Sequence, residues 1–417
     1  METIARPDWI RAGVGRWVIG LAAAIIALTS APAHAQMDPA RRFQLEGGYE
    51  QGLGQPGPKA PYFFAYLNRP GVLGSSSTLR LAIAPVYLDG ELGLKNAFGR
   101  YADAGIGLSG GGYAFGQTEV FRGDEKRGES FIGHGGGPSI SVYPHFGKLG
   151  PAPLNGVLRV AASYADYRRN SATAPQFVLP PNEWTAMFRA GLRYGGQPPG
   201  LDRAPAMELS AWWESREREH SIPYGYNGDR VAQGQTNLYW WRGLFNYTMK
   251  DGVRLGAGTS IGGGTGVDRF SAYRLGGMLT LNSEFPLILP GYFAQEIAAE
   301  RYAHLWLRGG VPLDDMKKFV FNVFAAGATI TPVTGTDAGG AQHLGVGTGI
   351  EFAPRKGALR GMLSYGYSPT AERGGGRGGH GVALSLELNL AATSNVPASR
   401  QTDSQQGLRW LLGPFSP

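Results

Sequence analysis

Apolar and polar side chains alternate every second residue along most of this chain. Val382, Leu384, Leu386, Leu388 and Leu390 alternate with Ala383, Ser385, Glu387 and Asn389. Tyr239, Trp241, Phe245 and Tyr247 alternate with Trp240, Arg242, Leu244, Asn246 and Thr248. Met207, Leu209 and Trp213 fall on one face while Glu208, Ser210 and Glu214 fall on the other. Successive side chains of a β-strand point to opposite faces, so each run predicts a ribbon with one greasy and one wet side. Such segments lie near 76–88, 103–115, 130–144, 156–168, 185–195, 205–217, 236–249, 252–262, 297–311, 318–331, 342–354, 357–369 and 379–391. Weaker ones lie near 42–50, 61–67 and 271–281. The pattern predicts an all-β fold: a transmembrane antiparallel β-barrel of about 16 strands, with lipid on one face and a polar interior on the other.

The joints fit hairpins. Met249-Lys250-Asp251-Gly252 places an Asp-Gly turn between two alternating runs, and Ala353-Pro354-Arg355-Lys356-Gly357 separates two more. Longer joints at 116–129, 169–184, 217–235 and 370–380 suggest extracellular loops, with the tight turns on the periplasmic side. Within the last of these, Arg373-Gly374-Gly375-Gly376-Arg377-Gly378-Gly379 reads as a flexible loop. Aromatic residues near strand ends, among them Tyr143, Tyr164, Trp212, Trp240, Trp241 and Tyr365, suit interfacial girdles.

Composition agrees with this picture. The chain has 417 residues, with 66 Gly, no Cys and only 17% charged residues. Lack of Cys excludes a disulfide framework. Residues 1–35 read as an export signal: Arg6, Arg11 and Arg16 precede an apolar stretch over 17–28, and Ala33-His34-Ala35 offers a small-x-small cleavage site at Ala35. That stretch is too short for a bilayer-spanning helix, which needs about 20 apolar residues. The expected organisation is a signal at 1–35, a barrel over 36–391 and a tail over 392–417 that serves either as a lumen plug or as the last strand. Localisation in the outer membrane of a Gram-negative bacterium follows. The formal charge of +7, or +6 without residues 1–35, is scattered with no dense basic run, which argues against nucleic-acid binding. The expected partners are outer-membrane lipid, lipopolysaccharide and, during biogenesis, the barrel assembly machinery.

Candidate chemistry is sparse. His134, His145, His220, His304, His343 and His380 are spread along the chain and form no metalloprotease or nucleophile-elbow pattern. No catalytic residue, metal site or cofactor is expected. Glu208, Glu214, Arg242, Arg254, Arg308, Arg360 and Glu387 share the polar phase of their strands and are candidate lumen-lining groups. They would form either a solute-selecting wall or a structural salt-bridge network. Arg122-Gly123-Asp124 matches an adhesion tripeptide but sits in a charged loop.

One segment is more specific. Ser271-Ala272-Tyr273-Arg274-Leu275-Gly276-Gly277 is followed by Leu289-Pro290-Gly291-Tyr292 and then by Glu300-Arg301-Tyr302-Ala303-His304-Leu305-Trp306-Leu307. This resembles the bacterial surface antigen (D15) barrel domain of the Omp85 superfamily, in a form without periplasmic repeats. The resemblance covers about residues 270–313. It implies a family-motif loop carried by Arg274, Gly276, Gly277, Pro290, Gly291 and Tyr292. In the insertase and transporter members an Arg precedes the Gly-aromatic pair and the loop folds into the lumen; here Pro290 takes that place. The expected function is a non-catalytic pore, scaffold or translocation-related barrel. The alternatives are a lipid-modifying outer-membrane enzyme and a partner-binding structural barrel.

Overall fold

The computed structural model describes residues 41–390, apart from 55, 86, 113–116, 150–151, 196–205, 280–284, 356–357 and 375. The export signal expected at 1–35, with its cleavage site, and the tail at 392–417 lie outside the described residues. Sixteen antiparallel strands close into a barrel. They are β1 (Arg42–Leu53), β2 (Lys59–Pro70), β3 (Ser77–Ala84), β4 (Tyr87–Leu94), β5 (Ala102–Gly112), β6 (Phe131–Leu149), β7 (Ala152–Arg169) and β8 (Glu183–Gly195) in the first half. The second half holds β9 (Ala206–Arg218), β10 (Gln235–Thr248), β11 (Arg254–Thr265), β12 (Ile297–Pro312), β13 (Phe319–Pro332), β14 (Gln342–Arg355), β15 (Leu359–Arg373) and β16 (Gly376–Asn389). Each strand pairs with its sequence neighbour, and β1 pairs with β16 in unbroken register from Gln44↔Asn389 to Leu53↔His380. That seam leaves no open sheet edge, the condition for a sheet to sit in hydrocarbon. Among the described residues no helix is long and apolar enough to cross a membrane.

The alternation sorts as the pleat demands. On β9, Met207 and Leu209 are exposed on the outer wall while Glu208, Ser210 and Glu214 are buried inside. On β12 and β13, Leu305, Leu307, Phe321 and Val323 face outward. The inner wall carries Gln44, Asn68, Glu91, Arg159, Arg189, Asn322 and Glu351, all buried. An exposed apolar belt around a polar interior is the reverse of a water-soluble fold, and lipid removes the cost of exposing it.

Two strand expectations change. Of the segment expected over 271–281, the described residues 271–279 do not cross the wall; only Tyr273–Leu275 pairs, against the upper end of β12, and the segment then turns inward. Its alternation fits a strand, but Leu275 is fully buried inside the barrel. Conversely, β4 is a strand although most of it lies outside the segments expected from the alternation; Asp89-Gly90 in its centre has residues common in hairpin turns. Sheet pairing on both sides, with β3 and β5, overrides that local signal. Three aromatic residues expected in girdles also point inward: Tyr143 donates to Glu91, and Trp212 and Trp240 stack on each other with ring centroids 6.0 Å apart. Tyr164, Trp241 and Tyr365 do face outward.

The two ends of the barrel differ. Short turns such as 249–253 close one end; there Gly252 at φ 94° lets its N–H reach the Met249 carbonyl at 3.0 Å. The other end carries long connections, whose described parts are 117–130, 170–182, 219–234, 266–279 and 285–296. They fold together as a cap. Phe131, Phe177 and Tyr224 are buried there around Phe270, whose ring lies 5.5 to 6.2 Å from those of Phe131, Tyr167 and Tyr224. Arg218 bonds Asp268, and Arg230 bonds Glu129, tying the cap at its margins. Arg122-Gly123 forms the positive-φ turn of a two-residue hairpin, with Arg122 paired to Asp337 at 2.6 Å, which gives the tripeptide a structural role.

Candidate functional site

The segment joining β11 to β12 passes through the cap and descends into the lumen. Leu275 bridges to Leu287, and Gly277 bridges to Leu289, so the descending and returning limbs support each other. Leu275, Leu287, Leu289, Tyr292 and Ile297 form a compact apolar cluster with Ala326, Ala328 and Ile330 of β13. This inner core explains why an apolar segment stays inside a barrel whose wall is otherwise polar.

The tip is Pro290-Gly291-Tyr292, seated on a stripe of inner-wall glycines from three successive strands. A Cβ at Gly345 of β14 would stand 2.2 Å from the Pro290 carbonyl oxygen, and one at Gly366 of β15 would stand 2.9 Å from the Gly291 nitrogen. One at Gly379 of β16 would stand 2.3 Å from the Gly291 carbonyl oxygen. Gly291 is itself at φ 84°, and its own Cβ would overlap the Ser368 nitrogen at 2.3 Å. Contact this close requires glycine on both surfaces.

Polar groups from the wall hold the loop at several points. Glu50 of β1 accepts the N–H groups of Met278 (2.9 Å) and Leu279 (2.9 Å). His304 of β12 donates from Nε2 to the Ile288 carbonyl at 2.8 Å. His343 of β14 donates from Nε2 to the Gly340 carbonyl, which leaves Nδ1 to accept the Tyr292 hydroxyl at 2.9 Å. Burial pushes the Tyr292 phenol upward, so it remains a donor at neutral pH. Arg373 of β15 makes the strongest tie. Its two terminal nitrogens bond both oxygens of Glu296, at 2.6 and 2.7 Å, and one also reaches the Gly291 carbonyl at 3.3 Å. Its guanidinium lies 4.3 Å from the Phe293 ring centroid. On the opposite wall, Phe285 packs edge-on against Trp212 and Trp240, each at 5.3 Å, beneath the Arg242 guanidinium at 4.9 Å. The loop therefore spans the lumen from β9–β10 to β14–β16 and β1.

Of the motif residues, Gly276, Gly277, Pro290, Gly291 and Tyr292 belong to this loop, while Arg274 stays near its root and donates to the Arg269 carbonyl at 2.8 Å. The lumenal arginine–carboxylate contact runs from wall to loop, with Arg373 on the barrel and Glu296 at the loop end. Arg373 sits in a segment whose glycines suggested a free loop; instead β15 extends to it and β16 begins at Gly376. Glu50, Phe285 and Glu296 are not among the residues the sequence points to, and Arg373 appears there only as part of a flexible loop. Glu50 and Arg373 lie on the polar phase of their strands, which was the available signal.

The other polar residues fall into separate clusters. Glu208 accepts from Arg193 and Arg242, at 2.5 and 2.8 Å. Glu214 accepts from Arg189 and Arg216, both at 2.6 Å. Arg254, Arg308 and Arg360 converge on Glu351, a residue outside the candidate set, at 2.8, 3.2 and 2.9 Å. Glu387 accepts from Gln44 at 3.3 Å. Of the described histidines, His304 and His343 both hold the lumenal loop, and among the described residues no group of three or more His, Asp or Glu side chains is placed to hold a metal ion.

No protein-family model and no curated protein matches this chain. Solved structures do. CdiB from Acinetobacter baumannii superposes with a TM-score of 0.57 at 9% identity, over 84% of this chain and 60% of that one. CdiB from Escherichia coli gives 0.57 at 12% identity, over 87% and 64%. BamA from Haemophilus ducreyi lacking POTRA domains 1-3 gives 0.53 at 12% identity, over 84% and 71%. The chain spans less than two thirds of the length of the two CdiB structures. At these identities the likeness is one of fold: like them, this chain forms a closed antiparallel β-barrel of sixteen strands.

Proposed function

We propose that this protein is a non-catalytic outer-membrane barrel held closed at rest by its own loop, a scaffold or gated translocation barrel rather than an open diffusion pore. The observation that carries this reading is the seating of Pro290-Gly291 on the glycine stripe of Gly345, Gly366 and Gly379, tied by Arg373 to Glu296. Bidentate, buried ion pairs and backbone contact at this distance have little tolerance for partial displacement, so the loop has a seated and a released state with little between. The arginine–carboxylate clusters around Glu208 and Glu214 then act as internal ties of the wall, which favours the structural reading of those candidates. The use of His304 and His343 to hold the loop favours a non-enzymatic role over lipid modification. Residues 1–35 are assigned as the export signal, with the long-loop end outside the cell and the short-turn end in the periplasm. Outer-membrane lipid and lipopolysaccharide are the surrounding partners, and the barrel assembly machinery inserts the chain.

Planar-bilayer recording tests the reading. The purified protein should be almost silent, and a variant that releases the loop should open discrete conductances. Steady large conductance from the unaltered protein would show an open pore and end the proposal.

A further inference from the structure

The two halves of the short-turn rim differ in charge. On one arc, residues 69–76, 95–101 and 146–149 carry Arg69, Lys95, Arg100 and Lys148 and no Asp or Glu. On the far side, the 249–252 and 313–318 turns carry Lys250, Lys317 and Lys318 against Asp251, Asp314 and Asp315, which cancel. Among the described residues none of the four arc cations is paired with a carboxylate. Arg100 reaches only the Tyr101 hydroxyl, at 3.3 Å, with its guanidinium 5.2 Å from that ring centroid. The next carboxylate along the chain, Asp103, is fully buried, where it accepts the Asn96 N–H at 2.8 Å and pairs with His145 at 3.2 Å. Hydrogen bonds join the turns into one arc: the Lys95 N–H donates to the Ser76 carbonyl at 2.7 Å, and the His145 N–H to the Tyr101 carbonyl at 2.8 Å. The same turns expose large apolar side chains, with Leu73 at 73%, Phe98 at 59% and Tyr101 at 60%.

The arc also adjoins the lipid-facing belt. Arg69 falls on the outward phase of β2, in line with the exposed Phe63, whereas Tyr66 and Asn68 are buried inside. In register it opens a row that continues through Leu79, Leu92, Ile106 and Ile140. Leu94, one residue before Lys95, stands in the next outward row with Ala104, Val142 and Leu158. A cation at the end of an apolar row keeps its stem in hydrocarbon and its charge among headgroups.

We propose that this arc binds the headgroup of an anionic glycerophospholipid in the periplasmic leaflet, which rests on the membrane orientation given above. Cations without counter-charges, placed where the apolar belt ends, match the phosphate of such a lipid, and aromatic rings such as Phe98 and Tyr101 favour the same level. A zwitterionic lipid carries its own cation and gains less. An acidic protein docking from the periplasm would meet the turn tips but not Arg69, which stands on the lipid-facing side of the wall. The loop latch uses none of these residues.

The test uses the full chain in detergent, titrated with phosphatidylglycerol or with phosphatidylcholine of the same acyl chains and read by native mass spectrometry. Phosphatidylglycerol should be preferred by about twenty-five-fold, the product of two cations at about fivefold each. Combined Arg69→Gln, Lys95→Gln and Arg100→Gln should abolish the preference, and combined Lys250→Gln, Lys317→Gln and Lys318→Gln on the far side should keep it. Equal retention of the two lipids by the unaltered protein overturns the proposal and leaves the arc to an acidic protein. Loss of the preference in both triple variants also overturns it, because total charge rather than the arc would then set binding. If the arc triple does not fold, as judged by heat-dependent gel mobility, the single Lys95→Gln and Arg100→Gln variants decide; each should lower the preference about fivefold. The chain has no cysteine, so Ser75→Cys reports the side of the membrane. A maleimide too large for porins should label it only after the outer membrane is breached. Labelling in intact cells overturns the leaflet and the orientation together. A protected cysteine with no lipid preference overturns this inference alone and leaves the closed-barrel reading intact.

Discussion

Replacing Arg373 by Met should release the lumenal loop while leaving the barrel closed. Arg373 and Glu296 are almost completely buried, at 7% and 5% side-chain exposure, and are joined by two short bonds. Removing one partner of a buried pair costs about 3–5 kcal/mol, because the remaining charge is stranded. At about 1.4 kcal/mol per factor of ten, the seated-to-released ratio should fall by roughly two to three and a half powers of ten. The cost belongs to the orphaned Glu296 carboxylate, so Arg373→Met combined with Glu296→Met should recover most of it. The chain has no cysteine, so Leu287→Cys supplies a single reporter on a buried loop residue. Maleimide labelling of that background should be slow, fast with Arg373→Met and slow again in the double replacement. Gel mobility confirms that the wall stays folded throughout. Equal labelling of the single and double replacements would refute the reasoning, because the stranded charge would not be what unseats the loop.

Three further outcomes follow from the geometry. Gly345→Val should unseat the tip by contact alone, since the first added carbon would lie 2.2 Å from the Pro290 oxygen; Leu287→Cys labelling should accelerate to match Arg373→Met. Gly47→Cys with Leu386→Cys should crosslink spontaneously on oxidation, because these register partners across the β1–β16 seam stand within disulfide reach; a failure to crosslink would mean that the seam is open. Val323→Arg, on the exposed belt of β13, should lower stability in lipid by about 2–4 kcal/mol, measured by urea titration in vesicles, and an effect below 0.5 kcal/mol would place that face away from hydrocarbon.

The wall was legible because its physics is local. A period of two with apolar residues on one phase is enough to place Met207 outside and Glu208 inside, and no knowledge of other strands is needed. The failures occur where distant pairing overrules local chemistry. Asp89-Gly90 has the residues of a turn, yet hydrogen bonding from both neighbouring strands keeps β4 extended. Residues 271–281 have the pattern of a strand, yet their apolar side chains find a buried cluster inside the barrel instead of lipid outside. For the polar interior, the alternation selected Arg254, Arg308 and Arg360 by phase. It could not reveal that all three meet Glu351, because that depends on which strands become neighbours. Arg373 was hidden by its glycine-rich surroundings, which give flexibility in isolation but here shape a tight hairpin beneath the cap.

Phe270 stands where the cap and the loop become one piece. Its ring is held by Phe131, Tyr167 and Tyr224 on the outside, and only five residues later Leu275 enters the lumenal core. A molecule that spreads the cap must displace Phe270, and the short, hydrogen-bonded stretch through Asp268 and Ser271 allows little slack before the pull reaches Met278 and its Glu50 anchor. The connection behaves as a lever rather than a tether. Under the proposed gating, linkage then makes exposure of the outer surface and release of the inner latch two readings of a single equilibrium.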